Sequence, residues 1–581
     1  MTQTNQTAST GPMSAGEVVP SYASHFIPKL AIALGEGYSL NHLGRDAMAG
    51  LTVAILALPL SMAIAIGTGA TPDRGLITSV VAGFFISALG GSRFQVGGPA
   101  AAFIVINAAV MAKFGIAGLL TATFLAGFIL VIAGLLRLGT FIKYVPGPVI
   151  LGFTTGIGVI IAVGQMKELF GLQGKTPAEF VHMVPALWEM RGTFNPSALA
   201  VGLFTIALIT GLRTWRPNWP GLLIAVGAAS GVAYLLHLPV DTIGSRFGGI
   251  PTGLPTPELP DLSWGMINNV LPSAFTIAFL VGIESLLSAV AADAKTGGRH
   301  RSNVEVVAQG VANIASPLFG GLPATGVIAR TATNISAGAK TPVAGIMHAI
   351  FVLLFMLLLA PLAYHLALPC LAAVLVTIAW RLIDHREITG FLPRAPFDDR
   401  IILLTTLVLT VVVDLNVAIA VGVVLASMLF MHRMAQVSSG GFVGAIADED
   451  LDDVRQPRSV LMSVELPEGV NVYQMRGPLF FGGAGTIGQT LRSLPKFPKV
   501  LILRMRDVPL IDATALTALE DLALDCEKRG CRIIMSGIQK QPREAMHRMG
   551  LLRERKILLA SNGFMAVEKA KQLVEGGGER P

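Results

Sequence analysis

The sequence predicts an α-helical membrane protein of fourteen transmembrane segments, arranged as a 7+7 inverted repeat with two half-helices, that continues into a small cytoplasmic α/β domain. Three observations predict it. Of 581 residues, 52% are hydrophobic and 14% are charged, with a mean hydropathy of +0.65, against roughly a quarter charged in soluble domains. Apolar runs long enough to cross about 30 Å of hydrocarbon recur between Ala47 and Arg433. Two shorter runs, in matching positions of the two halves, are interrupted by Gly and Pro: Gln95-Val-Gly-Gly-Pro99 leads into 100–110, and Gly320-Gly-Leu-Pro323-Ala-Thr-Gly326 leads into 327–337.

Residues 1–44 read as a cytoplasmic leader, rich in Ser, Thr, Gly and Ala through Val18 and without the apolar core of a signal peptide. The transmembrane region spans 45–435. Its first repeat, 45–237, holds runs at Ala49–Ile66, Gly75–Leu89, Gly97–Met111, Ile116–Leu136, Pro148–Met166, Ala198–Leu212 and Pro220–Leu236. The second, 268–435, holds Leu271–Ala291, Val304–Phe319, Ala324–Ala337, Pro342–Ala360, Leu366–Ile383, Ile401–Val413 and Leu415–Met431. Gly90-Gly91 before the first interruption is echoed by Gly320-Gly321 before the second. A repeat with an odd number of spans sets its two copies in opposite orientations, and an even total leaves both termini on one side. The richer set of basic residues, among them Arg137, Arg213, Lys295, Arg301, Lys340 and Arg381, lies in loops of that side; Arg74, Lys113, Lys167, Lys175, Arg191 and Arg246 lie on the other. The positive-inside rule therefore places both termini in the cytoplasm and the protein in the cytoplasmic (inner) membrane.

A linker at 436–458 carries the acidic stretch Asp448-Glu-Asp-Leu-Asp-Asp453. Residues 459–576 then read as a soluble domain. Strand-like runs stand at Val460–Val464, Val470–Met475, Val500–Met505 and Arg532–Ser536, and Leu516, Leu519, Ala523 and Cys526 share one helical face. About 120 residues suffice for an independent core.

Composition also excludes. The net charge of +7 comes from Lys and Arg scattered through short loops, so no nucleic-acid partner is implied. Cys370, Cys526 and Cys531 lack the spacing of a zinc site or a disulfide framework and read as buried thiols. No nucleophile triad, Walker loop, dinucleotide fingerprint or HExxH occurs in a supporting context, so no catalytic residue, metal or cofactor is expected. Without an ATP-binding motif, transport would be secondary.

The interrupted segments carry the chemistry. Breaking a spanning helix frees backbone N–H groups at the start of a half-helix, where the dipole end is positive and attracts anions. Gly98, Pro99 and Ala100 of the first segment and Thr325, Gly326 and Val327 of the second would form that cradle. Arg330, about one turn into the second half-helix, would add a fixed guanidinium or hold a carboxylate partner such as Glu284. Glu284, in Phe279-Leu-Val-Gly-Ile-Glu-Ser-Leu-Leu-Ser288, is the only acidic residue well inside any of these spans. A carboxylate there costs on the order of 3 kcal/mol, so it should face a cavity, a partner or carry a proton. Ser285, Ser288, Gln95 and Thr331 are further lining candidates; Thr333 and Asn107 are weaker ones, since Thr in membrane helices commonly bonds its own backbone. Asp414 and Asn416 fit an interfacial turn.

Gly50-Leu-Thr-Val-Ala-Ile-Leu-Ala-Leu-Pro59, Gly90-Gly-Ser-Arg-Phe-Gln-Val-Gly-Gly-Pro99, the Tyr144 to Gly158 stretch and Ala329-Arg-Thr-Ala-Thr-Asn334 resemble the sulfate permease (SulP) family. The tail, with Val500–Met505 followed by Val508-Pro-Leu-Ile-Asp512, resembles its STAS domain; Ala513 stands where soluble relatives carry a phosphorylatable Ser. The resemblance implies a core domain bearing the site, a gate domain, a homodimer, and a STAS domain open to a cytoplasmic protein partner. Ile283–Ala289 and Phe319–Thr325 look most like bacterial members that move C4-dicarboxylates with protons, which would make Glu284 the coupling carboxylate. Sodium-coupled bicarbonate members typically carry Asp at the Glu284 position and Thr at that of Ile328, a departure that weakens a sodium site. The expectation is proton-coupled symport of a small anion. Sodium-dependent bicarbonate or sulfate transport, a membrane-anchored STAS scaffold, and a nucleobase permease, which Arg330 disfavours, stand as alternatives.

Overall fold

A computed structural model describes residues 26–142, 146–174, 176–177, 179–216, 219–413, 415–437, 439–443, 445–446, 464–480, 497–554 and 557–575. The leader through residue 25, Tyr144, Asp414, the acidic stretch 448–453 and all but the last residue of the strand expected at Val460–Val464 lie outside them. The chain divides at Val423 into two compact units.

The first unit is helical. Its principal elements are Leu40–Gly67 (α1), Pro72–Leu89 (α2), Gly97–Gly98 (β1), Ile104–Leu135 (α3), Gly147–Gly164 (α4), Pro196–Trp215 (α5), Gly221–Leu235 (α6), Trp264–Thr296 (α7), Ser302–Leu318 (α8), Thr325–Gly326 (β2), Ile328–Ser336 (α9), Val343–Ala363 (α10), Leu368–Leu382 (α11) and Phe397–Val412 (α12); Leu415–Val437 (α13) runs across the division. Among the described residues eight helices are long and apolar enough to cross a membrane. Local chemistry sets the helix starts. Ser39 and His42 form a capping box at α1, and Asn195 accepts the Ser197 N–H at 3.0 Å ahead of Pro196 in the first position of α5. Thr123, Thr205, Thr406 and Thr410 each donate to the carbonyl four residues earlier, which satisfies their hydroxyls inside apolar surroundings. The two segments expected at Gly97–Met111 and Ile116–Leu136 meet as one helix, α3, with its ladder broken at Gly115, φ +65°. Only glycine takes that conformation cheaply.

The helices pack in two groups. In one, α3 lies against α7 and α8, and α10 against α1 and α2; in the other, α4 lies against α11 and α12, and α5 against α6 and α11. The groups meet where α11 and α6 touch α1. Glycines let backbones approach: a Cβ on Gly127 of α3 would stand 2.7 Å from the Gly310 carbonyl oxygen of α8, and the reverse holds at the same distance. Close approach of this kind maximises dispersion contact where lipid and side chains are equally apolar.

The second unit is a five-stranded sheet of Ser439–Val443 (β3), Val470–Arg476 (β4), Val500–Asp507 (β5), Arg532–Ser536 (β6) and Ile557–Ala560 (β7), in that spatial order. β4 to β7 run parallel and β3 pairs antiparallel on the β4 edge. Ser439–Val443 lies within the expected linker 436–458, so the domain begins earlier than its composition suggests; a Gly-rich, weakly alternating strand gave no signal. Alternation along β5 sends Leu501, Leu503 and Met505 to one face, under Ala513–Lys528 (α14) and Lys540–Arg548 (α15), and Val500 and Ile502 to the other, under Gly563–Glu575 (α16). Leu516, Leu519, Ala523 and Cys526 of α14 are all buried, as their spacing predicts.

Gly127→Ala should lower the thermal midpoint of the detergent-solubilised protein by an amount equivalent to about 1–3 kcal/mol, since neither backbone can retreat without repacking. Gly227→Ala on α6, where nothing lies within 4 Å of the added methyl, should cause no loss.

Candidate functional site

The two interrupted segments meet. Gly97 pairs with Gly326 and Gly98 with Thr325 in an antiparallel backbone contact, and the Val327 N–H continues it to the Val96 carbonyl at 3.0 Å. Each strand turns directly into a helix. A short 3-10 turn at Ala101–Phe103 opens α3, and α9 begins at Ile328. Two helix N-termini therefore start from one buried crossing. The first-turn amides have no carbonyl four residues earlier to accept them. Gly98, Pro99, Ala100, Thr325 and Gly326 are buried, Val327 is partly open, and Ile328 is 42% exposed. The open side of the crossing is thus the start of α9.

Side chains hold the crossing in place. Thr325 Oγ1 donates to the Val281 carbonyl at 3.1 Å, Gln95 Nε2 donates to Ser285 Oγ at 2.9 Å, Ser288 Oγ donates to Thr331 Oγ1 at 3.2 Å, and Thr331 Oγ1 accepts the Val96 N–H at 3.2 Å. Gln95, Ser285, Ser288 and Thr331, expected to line a cavity, are instead buried and bonded to one another. Thr333 donates back to the Ala329 carbonyl. Asn107 is buried on α3.

Val281, Ser285 and Ser288 mark the stripe of α7 that touches the crossing. Glu284 lies on that stripe, three residues after the first and four before the last. It is partly open, and among the described residues its carboxylate has neither a hydrogen bond nor an ion pair. An ion pair between Glu284 and Arg330 does not form.

Arg330 points the other way. It is fully buried, with Nη2 donating to Ser61 Oγ at 2.9 Å and Nη1 to Ser79 Oγ at 3.0 Å and the Gly97 carbonyl at 3.3 Å. The two serine hydroxyls, on α1 and α2, bond each other at 2.8 Å. Among the described residues no carboxylate pairs with the guanidinium. It lies directly behind Gly98, where a Cβ would collide with it, so its positive field reaches the crossing through backbone. Direct contact from the open side is blocked.

Two carboxylates were missed by sequence reasoning. Glu305, fully buried at the start of α8, accepts the N–H groups of Gly91 and Ser92 at 2.9 and 3.1 Å, Gln309 Nε2 at 2.8 Å and Ser285 Oγ at 3.3 Å. Asp46, fully buried in α1, accepts the Lys340 and Thr341 N–H groups at 2.7 and 3.2 Å, Thr341 Oγ1 at 2.5 Å and Tyr38 Oη at 3.2 Å. Glu305 holds the loop ahead of the first half-helix, and Asp46 the loop after the second. Glu284 is therefore not alone as a deeply placed acid. Both missed groups stand within a turn or so of the start of an apolar run, where an exposed interfacial charge is the ordinary reading. Ser61, Ser79 and His348 were missed too; His348 is fully buried on α10 with both ring nitrogens unpartnered among the described residues. The loop before β2 is tied without a carboxylate: Leu322 N–H donates to Thr78 Oγ1 at 2.7 Å, Arg74 Nη1 to the Gly320 carbonyl at 2.7 Å, and Asn313 bonds both the N–H and the carbonyl of Ala324.

Comparison with known proteins bears on this arrangement. The family model described as the sulfate permease family matches residues 43–405, and that of the STAS domain matches residues 462–570. The putative sulfate transporter YvdB of Bacillus subtilis (strain 168) is 38% identical over 519 residues, covering 89% of this chain and 95% of that protein. The bicarbonate transporter BicA of Synechocystis sp. is 30% identical over 524 residues, covering 88% and 91%. Among solved structures, the transmembrane domain of a cyanobacterial BicA superposes with a TM-score of 0.61 at 30% identity over 66% of this chain and 98% of that one. The murine Slc26a9 anion transporter in its inward-facing state superposes with a TM-score of 0.83 over 97% and 96% of the two chains, at 20% identity, a likeness of fold.

Glu305→Ala should cost on the order of 3 kcal/mol, because the Gly91 and Ser92 amides would be left buried without an acceptor. Asp46→Ala should behave alike through Lys340 and Thr341. Thermal unfolding in detergent measures both; Glu284→Ala, which removes no hydrogen bond present among the described residues, should leave the midpoint near that of the parent.

Proposed function

Because the chain belongs to the sulfate permease family, whose members are transporters and not enzymes, we propose that it is a secondary active symporter that brings a small oxyanion across the cytoplasmic membrane with a proton on Glu284. The single observation that carries this reading is the Glu284 carboxyl: partly open, unpartnered among the described residues, and on the stripe of α7 that faces the crossing. A group that must gain and lose a proton during a cycle cannot be locked in hydrogen bonds that favour one form. Asp46 and Glu305 each accept at least two backbone N–H groups and are held in place by them.

The anion would dock at the open start of α9, beside Val327 and the amides of 328–329, with Gly98, Pro99, Ala100, Thr325 and Gly326 forming the floor and Arg330 the fixed positive charge behind it. Shape excludes a side chain at Gly98. The names of the relatives favour sulfate or bicarbonate as the anion over the C4-dicarboxylate expected from the Ile283–Ala289 and Phe319–Thr325 runs. The departures at Glu284 and Ile328 favour a proton over sodium. Fourteen spans in a 7+7 inverted repeat beginning near 45, both termini in the cytoplasm, a homodimer, and a STAS domain that takes in the strand Ser439–Val443 and receives a cytoplasmic partner complete the proposal. The two helix packing groups are the candidates for core and gate.

In proteoliposomes, an inward proton gradient should stimulate uptake of labelled sulfate or bicarbonate, with fumarate and succinate as the competing panel. Glu284→Gln should abolish that stimulation while exchange of internal for external anion persists. Uptake indifferent to pH in the parent protein would remove the proton; uptake lost when choline replaces sodium would transfer the coupling role to sodium. Gly98→Ala should abolish both uptake and exchange.

A further inference from the structure

We propose that Cys526 and Cys531 of the soluble domain form a peroxide-sensitive dithiol that closes to an intramolecular disulfide at the end of α14. Local backbone geometry brings the two together. The helix ends with Gly530 in the left-handed region at φ +73°, the Cys531 N–H donating to the Cys526 carbonyl at 2.9 Å and the Gly530 N–H to the Glu527 carbonyl at 3.2 Å. In this termination the residue after the glycine folds back over the helical residue five positions earlier. Apolar side chains ordinarily occupy both places; here both are thiols.

The surroundings favour one thiol as the reactive partner. Cys526 is fully buried, whereas Cys531 is 5% exposed and lines a cleft of about 330 Å³ with Glu527, Gly530, Arg532 and Ile533. The cleft admits a molecule of peroxide size to Cys531 and not to Cys526. Interaction between the neighbouring thiols holds that of Cys531 below the usual thiol range and pushes that of Cys526 above it. The thiolate is the nucleophile in such chemistry.

The step balances with hydrogen peroxide as the oxidant. Cys531 sulfur attacks one peroxide oxygen, the O–O bond breaks, and the products are a Cys531 sulfenic acid and water. Cys526 sulfur then attacks the sulfenic sulfur; the S–O bond breaks, the hydroxyl leaves as water with the Cys526 proton, and the S–S bond forms. Two thiols are oxidised by two electrons and one peroxide is reduced to two waters. A reducing cytosol keeps the pair as thiols at rest and reverses the bond afterwards. Closing the bond pins the last turn of α14 to the start of β6, a change confined to one corner of the domain.

The test uses the full-length protein in nanodiscs, exposed to hydrogen peroxide, alkylated and digested with trypsin. Cleavage after Lys528 and Arg529 separates the two cysteines, so the fragments 507–528 and 530–532 remain joined only through the bond. We expect that linked species, lighter by two hydrogens than its parts, to accumulate while buried Cys370 stays alkylatable after unfolding. Cys526→Ala should stop closure and leave Cys531 as a sulfenic acid that dimedone captures; Cys531→Ala should leave Cys526 unoxidised. Recovery of both thiols intact at peroxide doses that oxidise an exposed model thiol would overturn the proposal, as would oxidation of Cys526 at the parent rate in Cys531→Ala.

Discussion

The backbone contact between Gly97–Gly98 and Thr325–Gly326 is the constraint on which the helical unit depends. Peptide groups inside hydrocarbon must find partners within the protein, because lipid offers none and each orphan costs several kcal/mol. Two segments that stop being helical at the same depth satisfy one another by pairing, and neither could remain broken alone. Glycine is required at the crossing because Arg330 and Gln95 lie against Gly98 and Gly326 with no room for a Cβ. From that contact follow the two helix starts, the first-turn amides gathered beside it and the position of α7, whose Val281, Ser285 and Ser288 all bond the crossing or its flanks.

Buried charge in this unit divides by how many donors it receives. Asp46 and Glu305 each accept several hydrogen bonds from loops that lead to or from the broken segments. They act as fixed acceptors that organise backbone, and they tie halves of the chain more than 200 residues apart in sequence. Glu284 accepts none among the described residues and is partly open. The three carboxylates thus have different physical characters, set by burial and hydrogen-bond inventory together. The glycine pair at Gly127 and Gly310 does the same task for α3 and α8 without charge, through contact at backbone distance.

Much of this was legible in sequence. The Gly and Pro interruptions in matching positions led to the crossing, and the period of Leu516, Leu519, Ala523 and Cys526 led to the buried face of α14. The position of Glu284 in an apolar run marked it as unusual before any contact was known. What sequence hid was direction. Arg330 reads as a cation of the anion cradle because it stands one turn into a half-helix, yet its guanidinium reaches back to hydroxyls on α1 and α2 that lie some 250 residues away in the chain. Gln95, Ser285, Ser288 and Thr331 have the composition of a polar lining and the geometry of a clasp. Glu305 and Asp46 were concealed because a charge near the end of an apolar run is normally solvated. Ser439–Val443 was concealed because an edge strand takes its pattern from a partner rather than from its own alternation.

The Ser61–Ser79 clamp has an electrical consequence. It ties the guanidinium of Arg330 to α1 and α2, so any displacement of these helices with α9 would carry an embedded cation with it. Should those helices traverse part of the bilayer with a bound monoanion, the pair is neutral in transit and the membrane voltage does little work on it; a dianion leaves one uncompensated charge, worth about 2.3 kcal/mol for each 100 mV crossed. The valence of the cargo, and whether Glu284 is protonated beside it, therefore set how strongly the resting potential opposes inward movement.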